Sequence, residues 1–195
     1  MTEYIIPKGK KYPQSLHRLL TRLLPLPWFY LKSRKLVIDI VLPVESLWKH
    51  NGDTDLKDDL NKAFGVNLVG WLPSHTWSCM SAFRCPNESN WEIMSYANKG
   101  SRENKAFGDS RWDIMPGDKY TVEIIFLARN KIALDHIVYK PNGNKPRKRT
   151  VFQYDKKITV ATLIGPTFGG NKSAPKDIKL LLEWRFEKAL LTDYT

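Results

Sequence analysis

Residues 178–186 alternate apolar and polar side chains with a period of two, and this pattern constrains the fold more than any other feature of the chain. The apolar face of the segment collects Ile178, Leu180, Leu182, Trp184 and Phe186. The opposite face collects Lys179, Glu183 and Arg185, with Leu181 as its single apolar member. Alternation of this kind is typical of an antiparallel strand that has one face on a core and the other in water.

The remainder of the sequence repeats the strand signal in short segments separated by turn residues. Strands are predicted at 36–42, 75–85, 91–98, 120–128, 132–139, 150–154 and 157–164. Two short helices are predicted, an amphipathic one near the N-terminus at 14–24 and another near 55–64. This pattern predicts an all-β fold, an antiparallel β-sandwich or jelly roll. At 195 residues the chain is expected to form one sandwich domain, 28–195, preceded by a basic arm and the amphipathic helix, 1–27.

Positive charge is concentrated in two parts of the chain. Of the net charge of +11, residues 1–35 carry +7 (eight Lys or Arg against one acid) and residues 131–157 carry +6 (eight against two), which leaves −2 elsewhere. The basic clusters are Lys8, Lys10 and Lys11 in a flexible arm, and Lys145, Arg147, Lys148 and Arg149 in a loop. A charge run is the ordinary composition of a solvated face, but two such runs also predict an anionic partner, nucleic acid or protein, bound with weak specificity.

The N-terminal sequence and the two cysteines indicate the cellular compartment to be expected for the protein. The first residues lack the apolar core of a signal peptide, and no apolar run reaches membrane-spanning length, so a cytoplasmic protein, or one packaged from a cytoplasm, is expected. Cys79 and Cys85 would be about 20 Å apart on one strand, too far for a disulfide, and are expected to be buried thiols.

No catalytic motif stands out, and no catalytic residue is assigned. Glu92 and Glu123 are each alone on their strands, whereas glycoside hydrolysis needs two facing carboxylates. The four histidines, His17, His50, His75 and His136, fall on different elements without the spacing of metal ligands. Neither a metal nor a cofactor is therefore expected.

Aromatic side chains with polar neighbours are the stronger lead, because sugars stack on aromatic rings and hydrogen-bond to flanking polar groups. Two neighbouring predicted strands supply the ligand-binding candidates His75, Trp77, Arg84, Trp91, Glu92 and Tyr96. Alternation places Trp77 and Arg84 on opposite faces, so the six residues cannot all line one site. The alternative is that Trp77 and Trp91 belong to the core and that Arg84 and Glu92 form a structural ion pair.

The turn before the last strand carries a family resemblance. Residues 168–178, Phe-Gly-Gly-Asn-Lys-Ser-Ala-Pro-Lys-Asp-Ile, resemble the turn that leads into the closing strand of concanavalin A-like jelly rolls, with Lys176 in place of a histidine. Patches within 59–100 are similar to a group of small, mostly uncharacterised proteins of Bacteroidetes-like bacteria and their phages. Met80, Ala82 and Phe83 depart from the Arg, Gly and Trp of that group. The resemblance implies a lectin-like sandwich but no activity, because such folds host lectins, lyases, glycosidases and structural proteins alike.

The sequence leaves three functional hypotheses open. The leading one is a non-enzymatic module, plausibly encoded by a phage, that recognises a glycan or the surface of a particle or host. The second is a phage accessory or counter-defence protein that binds protein or nucleic acid through the basic arm and residues 145–149. The third is a glycan-active enzyme whose site is not recognisable. The amphipathic helix additionally predicts self-association.

Overall fold

Two antiparallel sheets packed face to face form the fold. The computed structural model describes residues 1–12, 25–68, 77–100, 105–108, 111–169 and 172–194. All strand pairings between the named strands in these ranges are antiparallel. The predicted all-β sandwich is confirmed.

One sheet contains six strands. They are β1 (Thr2–Ile6), β3 (Arg34–Val41), β9 (Lys119–Ala128), β10 (Lys131–Val138), β11 (Arg147–Gln153) and β13 (Ile178–Lys188). Their order in space is β1-β13-β3-β9-β10-β11. β9 and β10, which correspond to the strands predicted at 120–128 and 132–139, form a hairpin in which Ala128 pairs with Lys131. The edges of this six-stranded sheet are therefore β1 and β11.

The other sheet contains seven strands. They are β2 (Leu26–Pro27), β4 (Asn61–Asn67), β5 (Trp77–Arg84), β6 (Trp91–Lys99), β7 (Lys105–Phe107), β8 (Trp112–Ile114) and β12 (Val160–Ile164). Their order is β2-β12-β4-β5-β6-β7, with β8 also paired to β6. In each sheet, we call the face that is turned away from the shared core the outer face.

The closing strand β13 takes the orientation that its alternation predicts. Ile178, Leu180 and Leu182 are buried in the core, and Trp184 and Phe186 pack against its margin. The polar partners on the opposite face stay accessible, as a half-buried strand requires. The alternation signal therefore identified both the strand and its buried face.

The helices are shorter than predicted. They are α1 (Trp28–Leu31) and α2 (Thr54–Asp58), with 3₁₀ turns at Val44–Ser46 and Leu191–Tyr194. The predicted helix at 55–64 ends at Asp58, and the chain enters β4 at Asn61. The predicted helix at 14–24 lies outside the described residues. Within the described ranges, no helix has the length and apolar character needed to span a bilayer.

The structure corrects the expectation of a flexible N-terminal arm. Thr2–Ile6 pair with 178–182 of β13, and Tyr4 and Ile6 are buried in the core. The Lys8 backbone N–H donates to Asp177 Oδ1 at 2.8 Å, which fixes the chain beyond the strand. Two buried apolar side chains at alternating positions outweigh the lysines that follow them, so this segment belongs to the sandwich.

Candidate functional site

Internal carboxylates hold the arginines of the predicted basic loop on the outer face of the six-stranded sheet. Arg149 donates from Nε and Nη2 to the two oxygens of Asp135, each at 2.9 Å. Arg147 also donates to Asp135, and its Nη2 lies 2.9 Å from Glu123 Oε2. Asp135 is fully buried. These arginines are thus strand residues that neutralise buried acids, which differs from the basic rim of a loop that the sequence predicted.

Lys35 and Asp193 complete this arrangement. Lys35 Nζ lies 2.9 Å from Glu123 Oε1 and 3.5 Å from Asp193 Oδ1. Asp193 belongs to the C-terminal 3₁₀ turn and is buried. We call this set the ionic network; its members are Lys35, Glu123, Asp135, Arg147, Arg149 and Asp193. Its alternating charges join β3, β9, β10 and β11 to the C-terminal turn.

The other predicted basic residues are held less tightly. Lys148 Nζ lies 4.2 Å from the Trp112 ring centroid, and Lys145 Nζ lies 5.5 Å from that of Tyr139. The side chains of Lys8 and Lys10 are exposed. Binding of an anionic partner by these lysines stays a prediction.

The predicted sugar-binding residues are dispersed. Trp91 is fully buried, with its ring 5.4 Å from Trp48 and 5.7 Å from Phe83, so it is a core residue and cannot serve as a stacking platform. Trp77 is half-buried and packs on Tyr154 at 6.2 Å. His75 lies outside the described residues.

Arg84 and Glu92 form the ion pair that the sequence analysis gave as their alternative role. Arg84 Nε donates to Glu92 Oε1 at 2.7 Å across the β5–β6 register, and Arg84 Nη1 lies 3.2 Å from Asp58. Arg111 Nη1 approaches the same Glu92 oxygen at 3.6 Å. Because Arg84 also contacts Asp58 at the end of α2, this ion pair joins α2 to the seven-stranded sheet.

The buried nucleophiles are inert. Cys79 and Cys85 are buried free thiols, as predicted, and burial raises the pKa of Cys79 to about 12. Ser81 Oγ lies 3.0 Å from His136 Nε2, but both side chains are buried between the sheets. Burial lowers the pKa of His136 to about 4, so the imidazole is neutral and bridges the sheets through this hydrogen bond.

A half-buried lysine that the sequence analysis missed lies on the outer face of the seven-stranded sheet. Lys62 pairs with Ala82, but the next pairing joins Phe64 to Ser81, so Ala63 is an extra residue. This bulge turns both Ala63 and Phe64 into the core and leaves Lys62 on the outer face. Bulges often re-aim a side chain beside a functional site. The sequence had instead placed Lys62 on the charged face of the helix predicted near 55–64.

The Lys62 ammonium group lies in a largely apolar environment. Its Nζ donates to the Leu60 carbonyl oxygen at 2.7 Å and lies 5.1 Å from the Tyr96 ring centroid. Apolar residues of the same face cluster around Tyr96; they are Met80, Ala82, Met94, Ile164 and Leu60. Burial, with a smaller contribution from the positive charge of Lys105, lowers the pKa of Lys62 to about 8.

A chain of hydrogen bonds runs from Tyr96 along the same face. The Tyr96 hydroxyl donates to Asn98 Oδ1 at 2.8 Å, and Asn98 Nδ2 donates to Ser78 Oγ at 3.1 Å. Burial raises the pKa of Tyr96, so its phenol is protonated at neutral pH. Tyr96 was among the predicted ligand-binding residues, and the structure brings it together with Lys62, Asn98 and Ser78 instead of with Trp91.

The turn that resembles concanavalin A-like proteins forms one wall around Lys62. Gly169 N–H donates to the buried Asn61 Oδ1 at 2.7 Å. A Cβ added at Gly169 would lie 2.0 Å from the Leu60 carbonyl oxygen and 2.7 Å from Lys62 Nζ. Only glycine fits this close approach, so the turn, Asn61 and the lysine are built as one unit.

The N-terminal segment braces this turn from the other side. The Lys11 carbonyl accepts from Phe168 N–H at 2.8 Å, and the Lys10 carbonyl accepts from Ala174 N–H at 2.9 Å. The positive charge of Lys11 also acts on Lys62. Lys10 and Lys11 thus contribute to the site through their backbone carbonyl groups, and Lys11 contributes through its positive charge as well.

Charge near Lys62 is predominantly positive. Lys105, on the edge strand β7, pairs with Asn98 and is exposed. Asp59 is the nearby acid that acts on Lys62; its Oδ2 is buried and makes no hydrogen bond within the described ranges. Among the described residues, no carboxylate lies within salt-bridge distance of Lys62. We call this arrangement the Lys62 site; its members are Lys11, Lys62, Ser78, Tyr96, Asn98 and Lys105.

Metal ligation finds no support in the parts of the chain that the structure describes. No group of three or more His, Cys, Asp or Glu side chains is placed there to hold an ion. The chemistry available to the Lys62 site is therefore that of amine, phenol, amide and hydroxyl groups.

Comparison with known proteins defines the fold. No family model and no curated protein matches the sequence. A solved structure of the alginate lyase Aly36B, in a variant with a lysine and a methionine replaced by alanine and bound to an alginate trisaccharide, is similar with a TM-score of 0.57 and 12% identity, over 96% of this chain and 81% of that one. An alginate lyase from Aplysia kurodai gives a TM-score of 0.53 and 11% identity, over 96% and 82% of the two chains.

A xylosidase from Bacillus halodurans C-125 gives a TM-score of 0.51 and 9% identity, over 82% of this chain and 28% of that one. These three structural neighbours are glycan-active proteins, consistent with the predicted concanavalin A-like fold. The predicted relation to bacterial and phage proteins stays a prediction.

Proposed function

We propose that this protein binds an acidic polysaccharide on the outer face of the seven-stranded sheet and cleaves it by β-elimination, with Lys62 as the base. The observation that carries the proposal is the half-buried lysine held against the Tyr96 ring without a carboxylate partner among the described residues. Lys35, by contrast, is paired with acids. A desolvated lysine with no carboxylate partner among the described residues calls for another explanation, and proton transfer supplies one.

The ionisation of the two groups suits an elimination. A base must be neutral to accept a proton, and a lysine with a pKa of about 8 is partly neutral near physiological pH, whereas an ordinary lysine is not. Tyr96 has the opposite tendency, since its raised pKa keeps the phenol protonated as an acid. Environments that move two titratable groups in these directions are typical of an acid–base pair.

The proposed reaction breaks the bond between C4 of a uronate unit and the glycosidic oxygen. Neutral Lys62 takes the proton from C5, and the electron pair of that C–H bond forms a double bond between C4 and C5. The C4–O bond breaks, and the leaving oxygen takes the proton of the Tyr96 phenol. Exchange with water then returns a proton to Tyr96 and removes one from Lys62, so no oxidant, metal or added nucleophile is needed.

The surrounding charge and the structural neighbours both favour an acidic substrate. Lys105 and Lys11 add positive charge beside Lys62, and would attract the carboxylate that must be present for the C5 proton to be acidic. Alginate, the ligand of the Aly36B complex, is a polymer of such uronate units, and that lyase shares this fold. A part of the xylosidase, 28% of its chain, has a similar fold as well, so neutral polymers belong in the test.

The test is to incubate the purified protein with a panel of polymers and to follow ultraviolet absorbance from the conjugated C4–C5 double bond. Polymannuronate, polyguluronate, polygalacturonate and hyaluronan are the acidic members, and xylan and a β-glucan are neutral controls. Lys62→Met should lower the rate by about 10²–10⁴-fold, because general acid–base groups contribute that much. Lys131→Met, at an exposed position at the start of β10, is the matched control and should retain the rate.

Wild-type protein that produces no unsaturated product from any of the acidic polymers would contradict the catalytic proposal. The same outcome would favour a second candidate function, non-catalytic recognition of an acidic glycan at the Lys62 site. One observation favours it: the Tyr96 side chain is only 4% exposed and its hydroxyl already donates to Asn98. Binding of the acidic polymers by wild-type protein, measured by calorimetry and weakened in Lys62→Met, would then establish recognition without cleavage.

A further inference from the structure

A groove of about 330 Å³ lies between the exposed edges of the two sheets, beside the Lys62 site. It is bounded on one side by Lys99 and β7 of the seven-stranded sheet, and on the other by β11 of the six-stranded sheet. At one end the edges close up, since a Cβ added at Gly108 would lie 2.4 Å from Thr150 Oγ1. Its volume is at the lower end of the range for small-ligand sites.

Phe107 connects this groove with the Lys62 site. Phe107 pairs with Tyr96 in the β6–β7 register, and the two rings meet edge to face at 5.6 Å. The Phe107 side chain is 49% exposed and lines the groove. Sugar faces stack on exposed aromatic rings of this kind.

The charge of the groove matches that of the substrate proposed above. Two cationic side chains, Lys99 and Arg149, line it. Arg149 also donates from its guanidinium to the fully buried carboxylate of Asp135. Val151, 44% exposed, adds an apolar patch on the β11 side.

We propose that this groove is a subsite for a further acidic sugar unit of the same polymer whose reacting unit lies at Lys62. The inference rests on the proposed function. An extended polymer that stacks one unit on Phe107 would cross directly from the groove to Tyr96 and Lys62. The subsite would be empty with the shortest substrates and filled with longer ones, so its contribution must depend on chain length.

The test uses uronate oligosaccharides of increasing length and a pair of variants that differ only in charge, Val151→Glu and Val151→Lys. Val151 is exposed on an edge strand, so both variants should fold, which circular dichroism and thermal unfolding check. For long oligosaccharides, Val151→Glu should raise KM roughly fivefold to tenfold, since it places like charge in the groove, and Val151→Lys should leave KM unchanged or lower. For the shortest oligosaccharide that is cleaved, both variants should match wild type.

Phe107→Ala and Phe107→Tyr give a second measurement, with Phe29→Ala as the control at another exposed phenylalanine. Phe107→Ala should raise KM for long substrates more than for short ones, and Phe107→Tyr should restore it. Equal effects at every length, or wild-type behaviour of Val151→Glu, would overturn the subsite while leaving the proposed function intact. If oligosaccharides are neither cleaved nor bound by wild-type protein, the proposed function fails and the subsite fails with it.

Discussion

The two outer faces of this sandwich use lysine and arginine in opposite ways. On the six-stranded sheet, every member of the ionic network has a partner of opposite charge, and Asp135 accepts hydrogen bonds from two arginines. On the seven-stranded sheet, Lys62 is desolvated beside an aromatic ring and two other lysines act on it. A structural role is sufficient to account for buried charges that are paired, because each partner offsets part of the desolvation cost of the other. A desolvated charge without such a partner is costly, and that cost indicates a role outside stability.

Removing the central acid of the ionic network should produce the largest change in stability. Asp135→Ala removes the buried partner of Arg149 and one of the two buried acids closest to Arg147, and should lower the free energy of unfolding by about 3 kcal/mol. This is the lower end of the range for a broken buried pair, because Arg147 is partly exposed and keeps Glu123. Urea unfolding followed by tryptophan fluorescence measures the change. A decrease in the free energy of unfolding of less than about 1 kcal/mol would mean that the ionic network behaves as an ordinary surface ion pair. The contrast drawn between the two outer faces would then no longer hold.

The corresponding change on the other face should have the opposite sign. Lys62→Met removes a charge that is buried without a salt-bridge partner among the described residues, and the new thioether packs against the apolar cluster around Tyr96. The free energy of unfolding should rise at neutral pH by up to about 3 kcal/mol, from a pKa shift of 10.5 to about 8 at 1.36 kcal/mol per unit.

The pH dependence of this gain has a definite direction. Between pH 8 and 10.5 the unfolded chain keeps the Lys62 proton while the folded protein has lost it, so wild-type stability rises with pH across that window. The advantage of Lys62→Met should therefore be full below pH 8 and disappear towards pH 10.5. A variant that is less stable than wild type at neutral pH would show that Lys62 is a structural residue after all.

Replacing Lys105 should have a smaller effect, which concerns the pKa of Lys62 directly. Its positive charge helps to lower the pKa of Lys62, so Lys105→Gln should raise that pKa. Because the proposed base would act when neutral, the rise of the proposed lyase activity with pH, expected near pH 8 in wild type, should move to higher pH in the variant. The pH profile of kcat/KM measures this shift, and Lys131→Gln provides the control at another exposed lysine. An unmoved profile, with Lys62→Met inactive, would mean that Lys105 does not influence the base.

The fold was predictable because its strongest signals are local, whereas the site depends on a local irregularity. The alternating apolar residues of β13 all lie on the side that faces the core, because the strand has a single buried face. In β4 the bulge puts Ala63 and Phe64 on the same side, and the sequence around Lys62 then no longer resembles a strand. Helix spacing fits the same residues, which is why the predicted helix extended too far.

The partners of Lys62 also come from distant parts of the chain. Tyr96 could be selected as an aromatic next to polar residues, but its contact with Lys62 depends on the order of β4, β5 and β6 in the sheet. Trp91 carried the same composition signal and proved to be core, because its position in β6 has the opposite parity. The aromatic residues with polar neighbours pointed to β6, but only the position of each residue in the strand decides which aromatic side chain faces the core.

The smallest effect is expected at residues 145–149, where the sequence predicted an anionic partner. Arg147 and Arg149 serve internal acids, so the remaining cations of that predicted cluster are Lys145 and Lys148, each beside an aromatic ring. Replacing both lysines with Ala lowers the net charge from +11 to +9 and should change stability by less than about 1 kcal/mol. Retention on heparin should fall only slightly, because the exposed lysines elsewhere, such as Lys8 and Lys10, remain in place. A collapse of retention in this double variant would restore residues 145–149 as an anion-binding surface. It would also show that this segment can pair two of its cations internally and still present Lys145 and Lys148 to a polyanion.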